Sequence, residues 1–128
     1  MNDADKLNRM RLFLAACADV IGWERESAFP YDHRILVQTI VGEAADGNAF
    51  ASRFLVLTNV AGKHSPDVTD GLMLCQSAGT AFRRYEHGSN ILILLGRHQV
   101  ESLKDSPEFQ GARHVALKYL AHMGKGPS

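Results

Sequence analysis

The segment RRYEHGSNILILL (residues 83–95) joins the densest run of polar side chains in the chain to an apolar run without a polar face. Before it, apolar and small residues recur at steps of three and four from Val68 to Phe82, which is typical of a helix packed on a core. Gly88 suits the end of such a helix, and the apolar run suits a buried strand. The segment therefore predicts a helix over residues 67–87, followed by the central strand of a sheet.

The polar half of this segment has a structural interpretation. In the predicted helix Arg83, Arg84 and His87 occupy the last turn, where the negative end of the helix dipole favours cations. Such charges each contribute about 0.3 to 1 kcal/mol. We therefore interpret RRYEHGSN as a helix end, and we expect replacement of both arginines by glutamine to lower the stability only slightly. A functional site is the alternative.

The rest of the chain shows further helical and strand-like patterns. Apolar periodicity, caps and turn residues place helices at residues 3–21, 99–104 and 107–123, and strands at residues 34–43 and 52–60. The order α-β-β-α-β-α-α predicts an α+β fold, or a small α/β fold, in which a β-hairpin and the third strand form one sheet packed by helices. We expect one globular domain over residues 1–123, with Trp23 packed back onto it, and a flexible tail over residues 124–128.

The composition excludes several classes of protein. Lysine plus arginine equals aspartate plus glutamate at 14 each, so no overall field draws the chain to nucleic acid or to an anionic membrane, although a local basic patch stays open. The N-terminal segment lacks the pattern of a secretory signal, and no apolar run reaches the roughly 18 residues of a membrane span. Cys17 and Cys75 lie in apolar helical patterns, which favours buried, reduced thiols and a cytoplasmic protein.

A candidate ligand site follows from the predicted topology. If the strand at residues 52–60, the middle helix and the third strand form a parallel crossover, their loops meet at the carboxyl ends of the strands, near a helix N-terminus. We predict a pocket for a small anion there, formed by six residues of two loops: Lys63, His64, Ser65, Asp67, Arg97 and His98. The alternative is an ordinary polar loop with a helix cap.

Catalytic and metal sites have weaker sequence support. The stretch GKHSPD lacks the first glycine and the spacing of a phosphate-binding loop. His114 and His122 are eight residues apart on one helix, whereas two histidines that bind one zinc ion from a helix sit four apart. Cys75 lies on an apolar helical seam, away from any turn that would activate its thiol. We therefore predict no catalytic residue, no metal and no cofactor.

One resemblance bears on function. The order strand, strand, helix, strand and short helix is similar to that of restriction-endonuclease-like folds, which hold a magnesium ion with an acid and an acid-x-lysine motif. The matching stretch, Gln38-Thr39-Ile40, contains neither acid nor lysine, so the resemblance implies a catalytically degenerate site.

We predict a small cytosolic, non-enzymatic binding or interaction domain that forms a homodimer, since apolar residues on both faces of the predicted sheet need cover. Its partner is a protein or a small anionic ligand. The alternative is a small enzyme or a nucleic-acid-acting domain that works through Lys63, His64, Arg97 and His98.

Overall fold

The computed structural model of the chain describes residues 1–22 and 27–125. Within these ranges it has six helices and five strands, in the order α1 (Asp3–Ile21), β1 (Ala28–Pro30), α2 (His33–Ala45), α3 (Ala49–Ser52), β2 (Leu57–Asn59), β3 (Gly62–His64), α4 (Pro66–Ser77), β4 (Ala81–Arg84), β5 (Asn90–Ile93), α5 (Arg97–Leu103) and α6 (Phe109–His122). The predicted α+β class is confirmed. The predictions for Trp23 and for most of the C-terminal tail concern residues outside these ranges. No helix in the described part is long and apolar enough to cross a membrane.

Helix α1 forms the centre of the molecule, in contact with α4, α5 and α6. Asn2 caps it, since its side-chain oxygen accepts a hydrogen bond from the Asp5 amide at 2.9 Å, and Gly22 ends it at a φ of 97°. Between Leu14 and Ala18 every residue is completely buried. The small side chains of this stretch allow α4 and α6 to pack closely on α1.

Three aromatic rings join α1, β1 and α6. Phe13, Phe29 and Tyr119 contact one another edge to face, with ring centroids about 6 Å apart. The buried Tyr119 hydroxyl donates a hydrogen bond to the Pro30 carbonyl at 2.7 Å and accepts one from the Asp32 amide at 2.9 Å. These two bonds fix the chain where β1 leads into α2, which positions the first residues of α2.

The sheets differ from the predicted single sheet. Strands β1, β5 and β4 form an antiparallel sheet with β5 in the centre, so the central position predicted for the apolar run is confirmed. Strands β2 and β3 form a separate antiparallel pair. The predicted parallel crossover is therefore wrong, because each strand pairs only with antiparallel neighbours.

The strand predicted at residues 34–43 is wrong, since these residues lie in α2. Asp32 caps α2 by accepting a hydrogen bond from the Ile35 amide at 3.1 Å, and Leu36, Ile40 and Glu43 are buried at helical spacing. A short run rich in β-branched residues fits both the helical and the strand periodicity. Burial against the rest of the protein favours the helix here. The strand predicted at 52–60 shrinks to β2, because the first residue of that range ends α3.

The helix predicted over residues 67–87 ends ten residues early. Ser65 caps α4 and Pro66 is its first residue, so the helix begins one residue before the predicted start. Gly79 then adopts a φ of 76°, and the Thr80 hydroxyl donates a hydrogen bond to the Cys75 carbonyl at 3.0 Å. Both features end the helix and release the following residues into β4. The predicted last two helices exist, with boundaries shifted by one or two residues.

Candidate functional site

The N-terminus of α2, the junction of β3 with α4 and the β4–β5 hairpin meet around His33. We call this surface the basic face; it comprises residues 31–34, residues 63–65 and residues 83–89. The Ser65 amide donates a hydrogen bond to Nε2 of His33 at 3.2 Å, and Nδ1 of His33 lies 2.9 Å from the Tyr31 hydroxyl. Because a main-chain amide can only donate, Nε2 accepts, and Nδ1 of the neutral ring carries the proton.

Burial lowers the pKa of the half-buried His33, and the charges of His64 and Arg83 lower it further, against an opposing effect of Asp32. The neutral ring is therefore the form that suits the fold. Protonation of Nε2 would replace an acceptor by a donor and break the bond from the Ser65 amide. His33 thus joins the start of α2 to the start of α4 in a protonation-dependent way.

Arg83 is the cation that the hairpin adds to this surface. Its guanidinium lies over the rings of Tyr31 and Tyr85, at 4.8 and 5.5 Å from their centroids, and Nε donates a hydrogen bond to the Ser89 hydroxyl at 3.1 Å. The two Nη groups form no hydrogen bond with any described residue, and Arg83 as a whole is partly exposed. The stacked rings and the serine hold the planar group in one orientation.

The interpretation of RRYEHGSN as a helix end is therefore wrong. Arg83 and Arg84 lie on β4, and His87 lies in the β4–β5 turn at a φ of 53°. Because α4 ends at Ser77, these residues lie in the β4–β5 hairpin and not at a helix terminus. Because Arg83 packs on the buried Tyr31, its replacement perturbs more than a helix dipole.

Positive charge predominates on the basic face. Arg34 and Lys63 are exposed, are next in sequence to His33 and His64, and form no ion pair with any described residue. Together with Arg83 and Arg84 they give four permanent cations against two acids, Asp32 and Glu86. The local excess of positive charge contrasts with the net charge of zero for the whole chain.

The predicted site residues separate in the structure. Lys63, His64 and Ser65 belong to the basic face. Asp67 is 4% exposed; its carboxylate accepts a hydrogen bond from the Leu55 amide at 2.7 Å and lies 3.9 Å from Nζ of Lys6, so it has a structural role.

Arg97 and His98 are exposed in the first turn of α5. Leu94, three residues before Arg97, is hydrogen-bonded to Thr80 beyond the C-terminus of α4. Residues 63–65, at the end of β3, precede the N-terminus of that helix, which is about 18 Å long. No hydrogen bond or ion pair among the described residues connects the two groups, and the crossover that was to bring them together is absent. Their shared ligand stays a prediction.

A concave region lies between α2 and α6. Two adjoining cavities of about 530 and 390 Å³ share Glu43, Asp46 and Lys118 in their walls. Glu43 is 4% exposed; Nζ of Lys118 lies 2.6 Å from its carboxylate, and Asn48 donates a hydrogen bond to it at 3.0 Å. These hydrogen bonds lower the pKa of Glu43. Because this buried acid is satisfied by protein groups, it joins the helices and is not presented to a ligand.

Sequence reasoning missed His33 and Tyr31, and it placed Arg83 in the wrong element. The signal that would have found them is Asp32, a good N-cap residue directly before a run with apolar residues four apart. Had that run been taken as a helix, His33 would have been placed in its first turn. No local sequence pattern indicated that the β4–β5 hairpin would bring Arg83 to Tyr31.

Among the described residues no three His, Cys, Asp or Glu side chains converge as metal ligands. No protein-family model, curated protein or solved structure matches the chain.

Proposed function

We propose that this protein is a small non-enzymatic binding domain that holds an anionic, phosphate-bearing partner on the basic face. The observation that carries the proposal is the guanidinium of Arg83, which is stacked on Tyr31 and Tyr85 and bonded through Nε to Ser89, while neither Nη group bonds a described residue. A planar fork held in this way suits the oxygen pair of a phosphate, and charge-assisted bonds of this type are about twice as strong as neutral ones. Lys63 and Arg34 add further cations around it.

A binding role is favoured over catalysis by the way the reactive groups are used. Both ring nitrogens of His33 are engaged by protein groups, so this histidine is not free to act as a general base. The thiols of Cys17 and Cys75 are buried, and burial raises the pKa of both. The enzymatic alternative therefore has less support than binding.

The proposal includes a cytosolic homodimer. The outer face of the three-stranded sheet carries Phe82, Leu92 and Leu94, of which Phe82 is 53% and Leu94 47% exposed. Neighbouring apolar side chains of this kind on a small protein indicate a contact surface. Light scattering at micromolar concentration should give a dimer that Phe82→Ser weakens, whereas a strict monomer would count against this part of the proposal.

The anion site is tested by thermal unfolding with added tripolyphosphate, using sodium chloride of equal ionic strength as the reference. The wild type should gain melting temperature, because a ligand present at about 100 times its Kd stabilises the folded state by about 2.7 kcal/mol. Arg83→Gln and Lys63→Gln should each lose most of that gain. Arg97→Gln makes the same charge change at the start of α5 and should keep it.

Lys63→Gln guards the test against a folding artefact, since Lys63 is exposed whereas Arg83 also supports Tyr31. Each variant is first melted without anion, and only the increment due to tripolyphosphate is compared. An equal increment in the wild type and in both basic-face variants would refute the proposed site. Loss of the increment in Arg97→Gln would instead restore the site predicted from the sequence.

A further inference from the structure

One side of α4 is exposed and uncharged. Thr69, Met73 and Gln76 follow one another at steps of four and three residues, which aligns them along the helix, and all three are exposed. Met73 is 61% exposed. The solvent side of a surface helix ordinarily carries charged residues, as α6 does with Lys118. An uncharged stripe with an exposed methionine at its centre is typical of a contact surface.

The acids of α4 lie on another side of the helix. Nζ of Lys6, on α1, lies 2.8 Å from the Asp70 carboxylate and 3.9 Å from that of Asp67. Both carboxylates share this lysine of α1; the side chain of Asp67 is buried, whereas that of Asp70 is 47% exposed. The stripe itself presents amide, hydroxyl, methyl and thioether groups without a charge that would repel a polyanion.

Positive charge flanks the stripe. Ser65, the N-cap of α4, is bonded to His33, so the basic face adjoins the N-terminal end of the helix. Strand β4 packs against α4, and Arg83 on that strand reaches Tyr31. The hairpin therefore lies beside the helix, and its cation is held close to the first turn of α4.

We infer that the anionic partner of the proposed binding function is duplex DNA, with α4 in the major groove and the basic face on the adjacent phosphates. A major groove about 12 Å wide admits one α-helix. Gln76 and Thr69 can bond base edges, and Met73 offers apolar contact to a thymine methyl group. A free phosphate compound would use the basic face alone, whereas a duplex uses a neutral helix side bordered by cations. The inference rests on the proposed function.

Three cations, Arg34, Lys63 and Arg83, set the expected salt dependence. Each phosphate neutralised contributes about −0.9 to the slope of log K against log salt concentration, so three contacts predict a slope of about −2.7. The affinity should then fall about 40-fold between about 50 and about 200 mM salt. Arg83→Gln should weaken binding and make the slope shallower by about 0.9.

The test is fluorescence anisotropy with a labelled mixed-sequence DNA duplex of about 20 base pairs, which is two helical turns. One labelled strand alone and an RNA duplex of the same sequence are compared with it. The decisive variant is Gln76→Glu, which places a negative charge in the stripe. Gln110→Glu makes the same change on the exposed side of α6 and is the matched control. Unchanged melting curves establish that both variants fold.

We expect the DNA duplex to bind at least tenfold more tightly than the single strand or the RNA duplex. Gln76→Glu should lose at least tenfold in duplex affinity yet keep the thermal stabilisation by tripolyphosphate, and Gln110→Glu should keep both. If tripolyphosphate stabilises the wild type but Gln76→Glu binds the duplex normally, or if RNA or the single strand binds as well, the inference fails and the proposed function stands. If neither tripolyphosphate nor the duplex binds, both fail.

Discussion

Replacement of Gly71 by alanine should destabilise the protein, although alanine is the better helix former. Gly71 lies in the interior of α4 at the contact with α1. A Cβ atom there would meet Cγ of the buried Met10 and would lie 2.8 Å from the carbonyl oxygen of Lys6, whereas ordinary contact begins at 3.4 Å. The side chain can adjust, but the carbonyl moves only with its helix. The α1–α4 contact must therefore open.

Gly42 provides the matched control, because it lies inside α2 with nothing within 4 Å of an added Cβ. Either replacement gains about 1 kcal/mol of helix propensity, so this contribution cancels between the two variants. What remains is the cost of overpacking, typically about 1–3 kcal/mol. Gly42→Ala should be more stable than the wild type by about 1 kcal/mol, and Gly71→Ala less stable than Gly42→Ala by about 1–3 kcal/mol.

The difference is measured by urea unfolding followed by far-ultraviolet circular dichroism, with a common m-value for the three proteins. The expected net change for Gly71→Ala, between about zero and a loss of about 2 kcal/mol, contrasts with the gain of about 1 kcal/mol that its helical position alone suggests. Equal stability of the two variants would refute the close contact of Gly71 with α1. It would also refute the packing that positions the uncharged stripe of α4.

Tyr119→Phe should lower the free energy of unfolding by about 1–3 kcal/mol, measured in urea, because the amide of Asp32 and a neighbouring carbonyl lose their partner; no loss would contradict the hydroxyl's bonds. Cys17 and Cys75 should not react with Ellman's reagent at pH 7 until the protein is unfolded, since both are completely buried; fast labelling of native protein would contradict that. Stability should fall as the pH drops below about 6.5, because the lowered pKa of folded His33 lets the unfolded chain bind protons first. His33→Gln should flatten that pH dependence, and an unchanged slope would contradict it.

The sequence by itself determined the elements whose signals are local. Helix α1 has a long apolar stripe, acids in its first turn and a terminal glycine, and it runs over the predicted residues. The apolar run of β5 has no polar side to place in solvent, so its central position followed. The start of α4 was predicted to within one residue, because capping chemistry acts within a few residues. The α+β class required only these elements.

Only the tertiary structure decided what lies between them. Residues 34–43 fit both the helical and the strand periodicity. They form a helix because α3 and α6 pack against one side of it. The end of α4 depends on Gly79 and on pairing of β4 with β5, a contact that local helical spacing cannot register. Because the predicted helix was too long, Arg83 was assigned to its last turn and not to β4.

For the same reason, only part of the candidate site could be predicted from the sequence. Lys63, His64 and Ser65 were identified because they are consecutive in sequence, directly before a helix. The basic face also needs His33 and Arg83, about 30 residues before and 20 residues after that loop, and residues so distant in sequence meet only when the core has closed. The Tyr119 hydroxyl fixes the start of α2, and the antiparallel sheet returns the hairpin to α4. Sequence fixes which side chains can bind an anion, but packing of the elements around α1 decides which of them share a surface.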